Sequence, residues 1–373
     1  MKPKVLFVGR TRYRLPLEPS LRKKFDALRA DLDVRVLGSA APGSSTSDDT
    51  FTLAAPVRPR LLDGPAFYLA LPVRVARELR RFRPDAVIAQ SAYEAASVVL
   101  ARALARSRAR LVLDVHADWR SSTRLYGSTL RRALGPLGDR VAATALRRAD
   151  GVRTISGYTT GLVRELGIEP AGVFPAFMDL EPFVERPPAP LPAEPRALFV
   201  GVLERYKNVD GLADAWLSAA PRLPGTTLQL VGSGTLTEVV ERLLADLPEQ
   251  TAWTPRLSTP EVAKALDEAT LLVLPSRSEG LGRVVVEAFC RGRPVVGARV
   301  GGIPDLVEDG VNGLLVEPGD TGALAEALVR VLGDPELAAA LAAGARRSAG
   351  AWLQTPSEYA ERVRTLVERV ALP

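Results

Sequence analysis

Short runs of uninterrupted apolar residues alternate along this chain with longer stretches whose apolar positions recur every three or four residues. In the first half the runs are VLFVG (5–9), VRVLG (34–38), AVIAQ (86–90), RLVLDVH (110–116) and GVRTIS (151–156). Between them, SLRKKFDALRA (20–30) and PVRVARELRRFRP (72–84) show helical spacing. A strand apolar on both sides must be covered on both faces, so this alternation predicts a parallel sheet between helices. The pattern stops at ERPPAPLPAEP (185–195), with five prolines in eleven residues. Proline has no N–H to donate and a fixed φ, so this stretch predicts a linker. The alternation then restarts with RALFVGV (196–202), TTLQLVGSG (226–234), TLLVLPS (270–276), RPVVGAR (293–299) and NGLLVEP (312–318). The fold class is therefore α/β, with two doubly wound Rossmann-like domains at 1–184 and 196–350. After Pro356 the chain reads as a helix with Tyr359, Val363, Leu366 and Val370 on one face. Ligands of such sheets bind beyond the carboxyl ends of the strands, which predicts a site in a cleft between the domains.

Composition narrows the class. A chain of 373 residues, 47% hydrophobic and 25% charged, suits two soluble globular domains. No segment reaches the ~18 uncharged apolar residues of a membrane span, and the apolar run in MKPKVLFVGR is too short for a signal peptide. Cys290 is the only cysteine, which excludes an intrachain disulfide and a Cys-rich metal site and points to the cytoplasm. Charge is unevenly spread. Residues 1–180 hold 30 Lys+Arg against 17 Asp+Glu, and residues 181–373 hold 19 against 26. The basic half suits an anionic partner such as an acidic membrane surface or a phosphate-bearing acceptor. With 43 Arg to 6 Lys, genome composition contributes to that excess.

The segment PSRSEGLGRVVVEAFCRGRPVVGARVGGIPDLVEDGVNGLLVEPGD (275–320) carries the most chemistry. A strand ends at Leu274, and a helix opening at Gly280–Gly282 runs through RVVVEAFC. Bare N–H groups at the positive end of that helix form an anion site suited to a diphosphate. Glu279 stands just ahead of it, and Glu287 two turns inside, among Val and Ala. A carboxylate there is costly unless something donates hydrogen bonds to it, and ribose hydroxyls would do so.

In this order, EGLGRVVVEA, GRPVVGARVGGIPDLVEDGVNG and LLVEPGD resemble the retaining glycosyltransferases of the GT-B fold that carry an E-x(7)-E donor motif. The resemblance implies that Glu287 holds the donor ribose and Glu279 the hydroxyls of the transferred sugar. It also places the N–H groups of Gly280, Leu281 and Gly282 at sugar and diphosphate, and has Gly301 and Gly302 open a further helix, IPDLVED. FVGVLERYKNVDGL matches the family's next element, in which cations neutralise the leaving diphosphate. Lys207 takes the family lysine's place relative to Gly201. The family's Arg is Val202 here, so Arg205 is the expected substitute. VGSGT (231–235), with Gly232 and Ser233, resembles the next strand-end loop, and TAWTPRL (251–257), with Thr254, falls where relatives bind the nucleobase.

His116, the only histidine, sits in LDVHADWR (113–120). A lone His near a strand end is often a packing residue. Relatives carry one there that faces the donor sugar, so a functional role is expected. Asp118, Trp119 and Arg120 follow on the acceptor side, and GRTRYRLPLEP (9–19) offers Arg10, Arg12 and Arg14 to an anionic acceptor, a solvated loop being the other reading. Asp31 and Asp33 read as a helix end rather than a metal pair. The whole predicts a metal-independent, retaining hexosyltransferase that needs no cofactor beyond its nucleotide diphosphate sugar. It would use an anionic, lipid-linked or polysaccharide acceptor, work in the cytoplasm with peripheral membrane contact through the N-terminal domain, and bind no nucleic acid. A silent nucleotide-sugar-binding subunit and a nucleotide-sugar epimerase remain alternatives.

Overall fold

In the computed structural model, which describes residues 2–120 and 135–371, the chain divides into two units. One comprises Met1–Phe177 with Gln354–Pro373, the other Met178–Leu353. Each is built on one parallel sheet.

The first sheet runs β1 (Lys4–Tyr13), β2 (Asp33–Ala40), β3 (Phe51–Ala54), β4 (Ala86–Ala89), β5 (Arg110–Val115), β6 (Gly151–Thr154) and β7 (Gly172–Val173), in spatial order β3-β2-β1-β4-β5-β6-β7. Sequence order reverses between β1 and β4, the switch point at which doubly wound sheets open a crevice beyond their carboxyl ends. Both faces are covered. On one side α2 (Arg60–Arg81), α3 (Ala92–Ala105) and α4 (Gly135–Arg148) pack over Leu6, Val8, Val87, Leu111 and Leu113. On the other, α1 (Pro19–Asp31) and the last helix, Pro356–Ala371, bring Phe25, Leu28, Tyr359, Val363 and Leu366 over Val5, Phe7, Ile88 and Val112. Between α4 and that last helix lie α5 (Gly157–Arg164) and the short α6 (Glu181–Val184), the latter in the second unit.

The second sheet consists of β8 (Arg196–Val200), β9 (Thr227–Val231), β10 (Thr251–Thr254), β11 (Leu271–Leu274), β12 (Val295–Ala298) and β13 (Gly313–Val316), in order β10-β9-β8-β11-β12-β13. It has the same switch, between β8 and β11. Its core gathers Phe199, Leu212, Trp216, Leu230 and Val273. Helix α7 (Val209–Ala219) follows β8, α8 (Thr237–Asp246) follows β9, α9 (Thr259–Asp267) follows β10, and α10 (Arg283–Cys290) follows β11.

Several expectations shift. Strands β3, β7 and β10 are too short or too polar to register as apolar runs; β3 is only FTLA. Helix α2 starts twelve residues before Pro72 and carries Pro65 and Pro72 in its interior. The division between units falls at Phe177/Met178 rather than at 184. The proline-rich stretch is not a free tether, because two buried arginines pin it to the second unit. Arg291 donates to the carbonyls of Arg186 and Pro187 at 2.7 and 3.0 Å, and Arg293 to those of Ala189 and Pro190, both at 3.0 Å. Consecutive prolines leave carbonyls without competing N–H groups, which suits a guanidinium with several donors. No α-helix forms after Gly301 and Gly302: residues 303–306 make bends and turns, with Pro304 among them.

Candidate active site

In the second unit the chemistry collects at the carboxyl ends of β8 and β11. After β8, Gly201 leads into a one-turn 3₁₀ helix, Arg205–Lys207. Lys207 Nζ donates to Glu279 Oε2 at 2.5 Å, with the two side chains only 12% and 16% exposed. Ser276 Oγ, fully buried, lies 3.4 Å from the same oxygen. Arg205 does not join this pair. Its side chain is exposed, and its carbonyl accepts from Arg277 at 3.3 Å. The reason is local: two residues apart in a tight turn, Arg205 and Lys207 cannot face the same way.

The loop between β11 and α10 is seated by close backbone approach. Gly282, at φ 94°, caps the helix in the left-handed region and has no side chain to satisfy the first-turn N–H groups. Gly280, Leu281 and Gly282 are themselves buried. Gly301, at φ 60°, lies against Glu279, and a Cβ there would fall 1.8 Å from the Glu279 carbonyl oxygen. Gly301→Ala is therefore expected to displace the loop at a cost of about 1–3 kcal/mol. Amide exchange at 279–282 should then speed up about tenfold or more; unchanged exchange there would remove this account of the seat.

Glu287 is buried inside α10, and its Oε1 accepts from Arg283 Nε at 2.6 Å. Burial pushes its carboxyl above the usual range, with Arg283 opposing. Arg283 was not among the expected residues, although its place four before Glu287 was a readable pairing signal. Gly232 and Thr254 meet through a 3.0 Å backbone bond at the ends of β9 and β10, and Ser233 offers its carbonyl to Leu203 N at 3.1 Å.

In the first unit His116 stands just past β5. Its Nε2 is 3.1 Å from Asp114 Oδ2, the oxygen to which buried Arg153 donates at 2.8 Å. Burial alone would raise the Asp114 carboxyl, but Arg153 and then His116 hold it down at about 2. An ionised carboxylate only accepts, so the proton shared with it sits on His116 Nε2. Asp114 and Arg153 were missed; a carboxylate two residues before His116 in an apolar strand was the available sign. A cavity of 230 Å³ opens beside the ring, lined in part by Gln90, Ser91, Tyr93 and Trp119. Below it lies buried Glu94, its carboxyl raised by burial, bonded to Ser91 Oγ and to Tyr68 Oη at 3.1 Å.

The expected acceptor residues are less free than the sequence implied. Strand β1 continues to Tyr13 across a register shift, so Arg10 and Arg12 stand on a strand end rather than a loop. Both donate to Asp63, at 3.1 and 3.0 Å. Arg14 is exposed. Asp118 accepts from the Arg120 backbone N at 2.9 Å, and Arg120 reaches Glu165 at 3.3 Å and lies over the Trp119 ring. Asp31 ends α1 and Asp33 opens β2.

Two doubly wound units with these groups at their strand ends define a GT-B-type protein. Residues 18–175 match a "Glycosyl transferase 4-like domain" and residues 194–334 match "Glycosyl transferases group 1", and the chain belongs to this glycosyltransferase family. It is 34% identical over 218 residues to the glycogen synthase of Mycobacterium tuberculosis, covering 56% of this chain and 51% of that protein, so it spans about half the length of this relative. Sucrose-phosphate synthase from Thermosynechococcus elongatus has a similar fold, with TM-score 0.77 at 20% identity over 98% of this chain and 99% of that one. Anabaena HepE in complex with UDP-glucose gives 0.72 at 20% identity over 97% and 99%.

Proposed function

We propose that this chain transfers a hexosyl group from a nucleotide diphosphate sugar to a hydroxyl of an anionic, lipid-linked or polysaccharide acceptor, with retention of anomeric configuration and without an essential metal. The observation that carries this reading is the nearly dry Lys207–Glu279 pair beside the uncapped start of α10, with the Glu287 carboxylate buried about one turn further in. A diphosphate at that helix start meets the positive end of the helix and a lysine ammonium, which stabilise the charge that grows as the sugar–phosphate bond breaks. Glu279 accepts hydrogen bonds from sugar hydroxyls, and Glu287 from the ribose. The complex of HepE with UDP-glucose supports a uridine nucleotide as the first donor to try.

His116 presents Nδ1 to a sugar hydroxyl, with Asp114 holding the ring orientation. No carboxylate is assigned as a nucleophile. Attack on the donor's own face, with the departing phosphate oxygen taking the acceptor proton, accounts for retention.

A thermal-shift screen of nucleotide diphosphate sugars tests the reading, since a ligand held 100-fold above its Kd adds about 2.7 kcal/mol of stability. Glu287→Ala should then weaken the stabilising nucleotide about tenfold in calorimetry, one charged hydrogen-bond pair's worth. No stabilisation by any donor, or an unchanged affinity in the variant, would sink it. The anomeric coupling constant of the product tests retention separately.

A further inference from the structure

The inner side of α2 is what a sheet-covering helix should be: Phe67, Leu71, Val75 and Leu79 are buried at four-residue spacing. Its outer side is not correspondingly polar. Leu61, Leu69 and Val73 are 87%, 81% and 59% exposed, and Leu100 and Leu104 on neighbouring α3 are 52% and 51% exposed. Of the fourteen large hydrophobics exposed among the described residues, seven fall between Val57 and Leu104. Scattered single leucines need no explanation, but six of the fourteen on two adjacent helices, with Val57 just ahead of them, is a patch.

The charge on the same stretch is equally one-sided. Residues 57–110 contain eleven arginines, no lysine and four carboxylates. Three of the four are buried: Asp63 is engaged by Arg10 and Arg12, Glu78 by Arg35, and Glu94 by Tyr68 and Ser91. The fourth, Asp85, accepts from the Lys4 backbone N. Arg77, Arg81, Arg83, Arg106 and Arg108 are exposed, and among the described residues none of them holds a carboxylate. Arg80 joins the two helices by donating to the Leu104 carbonyl at 2.6 Å. Where α2 and α3 end, a concavity of 530 Å³ is lined by Arg80, Arg83, Arg106, Arg108 and Arg110.

We infer that the outer face of α2 and α3 docks on an anionic lipid bilayer, the leucines entering the headgroup region and the arginines meeting lipid phosphates. This occupant satisfies both halves of the surface, which a nucleic acid and a second copy do not. A nucleic acid would neutralise the arginines and leave Leu61 and Leu69 in water. A second copy meeting this face across a two-fold axis would set arginine against arginine. A bilayer of anionic lipids takes apolar side chains and guanidinium groups together, as amphipathic interfacial helices do. The inference does not depend on the donor site and stands or falls apart from it.

The test is sedimentation of the full chain with vesicles of phosphatidylcholine, with and without phosphatidylglycerol. Binding to the doped vesicles alone, weakening with salt, is expected. Leu69→Glu with Val73→Glu should lower vesicle affinity at least about tenfold, and Arg77→Gln with Arg81→Gln about fivefold per arginine. These positions are exposed, so melting temperatures should not change and loss of fold can be excluded. No binding to doped vesicles, equal binding to neutral ones, or indifference to both pairs of substitutions would overturn the proposal. So would self-association abolished by the leucine substitutions, or DNA binding lost only with the arginine pair.

Discussion

Lys207→Ala is expected to lower turnover with the preferred nucleotide sugar by about 10²–10³-fold, the usual cost of removing one preorganised group from a developing charge. In the free protein the ammonium is held 2.5 Å from Glu279 in a site largely closed to water. At the effective dielectric of such a place, two unit charges 4 Å apart interact by about 4 kcal/mol, against about 1 in water. On the proposed reading a donor diphosphate would draw the ammonium from Glu279, with the largest gain when the bond breaks and charge moves onto the phosphate. Affinity for the intact donor should therefore fall less than kcat. Truncation also strands Glu279 with only Ser276 nearby, which by itself perturbs the loop. A double-mutant cycle with Glu279→Gln separates the two effects, because loss from the stranded carboxylate disappears in the double variant while loss of the cation does not. Steady-state kinetics decide: a kcat within about threefold of the parent would remove Lys207 from leaving-group stabilisation.

How much of this was legible beforehand differs by kind of feature. The long buried strands were plain, since VLFVG, RLVLDVH and RALFVGV are apolar on both faces and can only be central in a covered sheet. Edge and short strands were not. FTLA and TAWT are half exposed and carry no periodicity over four residues. Helix α2 was half hidden because Pro65 and Pro72 read as breaks, whereas its packing against the sheet holds it helical through both. The long ordered block around Glu279 and Glu287 singled them out, and in the fold Glu279 pairs with Lys207 while Glu287 lies buried in the helix that follows. Arg205 could not be placed, since two residues of sequence do not say which way a tight turn aims its side chains. The partners that tune the site come from elsewhere in the chain. Arg153 lies 39 residues from Asp114, and Asp63 lies 53 from Arg10, so only the folded sheet brings them together.

The largest stability effect is expected from Arg153→Met. The guanidinium is 3% exposed, bonds Asp114 at 2.8 Å and the Phe174 carbonyl at 3.2 Å, and lies 4.2 Å from the Phe174 ring centroid. Methionine keeps much of the packing volume but leaves Asp114 buried with His116 as its hydrogen-bond partner and Lys24 acting from further off. Breaking a buried pair from one side costs about 3–5 kcal/mol, which lowers the melting temperature of a unit this size by about 10 °C. The sign with pH is specific. In the parent, the Asp114 carboxyl titrates at about 2, below its ordinary 3.8, so its contribution is present above that ordinary value and is lost as pH falls toward 2. In the variant, burial dominates and raises the carboxyl instead. The folded variant then holds a proton more tightly than its unfolded chain, so it is relatively most stable in acid and loses that advantage as pH rises. The gap between the two melting curves should therefore be widest near neutrality and close progressively on acidification. Adding Asp114→Asn to Arg153→Met removes the stranded charge and should recover part of the loss at neutral pH. A gap that stays constant with pH, or no recovery in the double variant, would mean that Arg153 stabilises the fold by packing on Phe174 and not by holding the carboxylate beside His116.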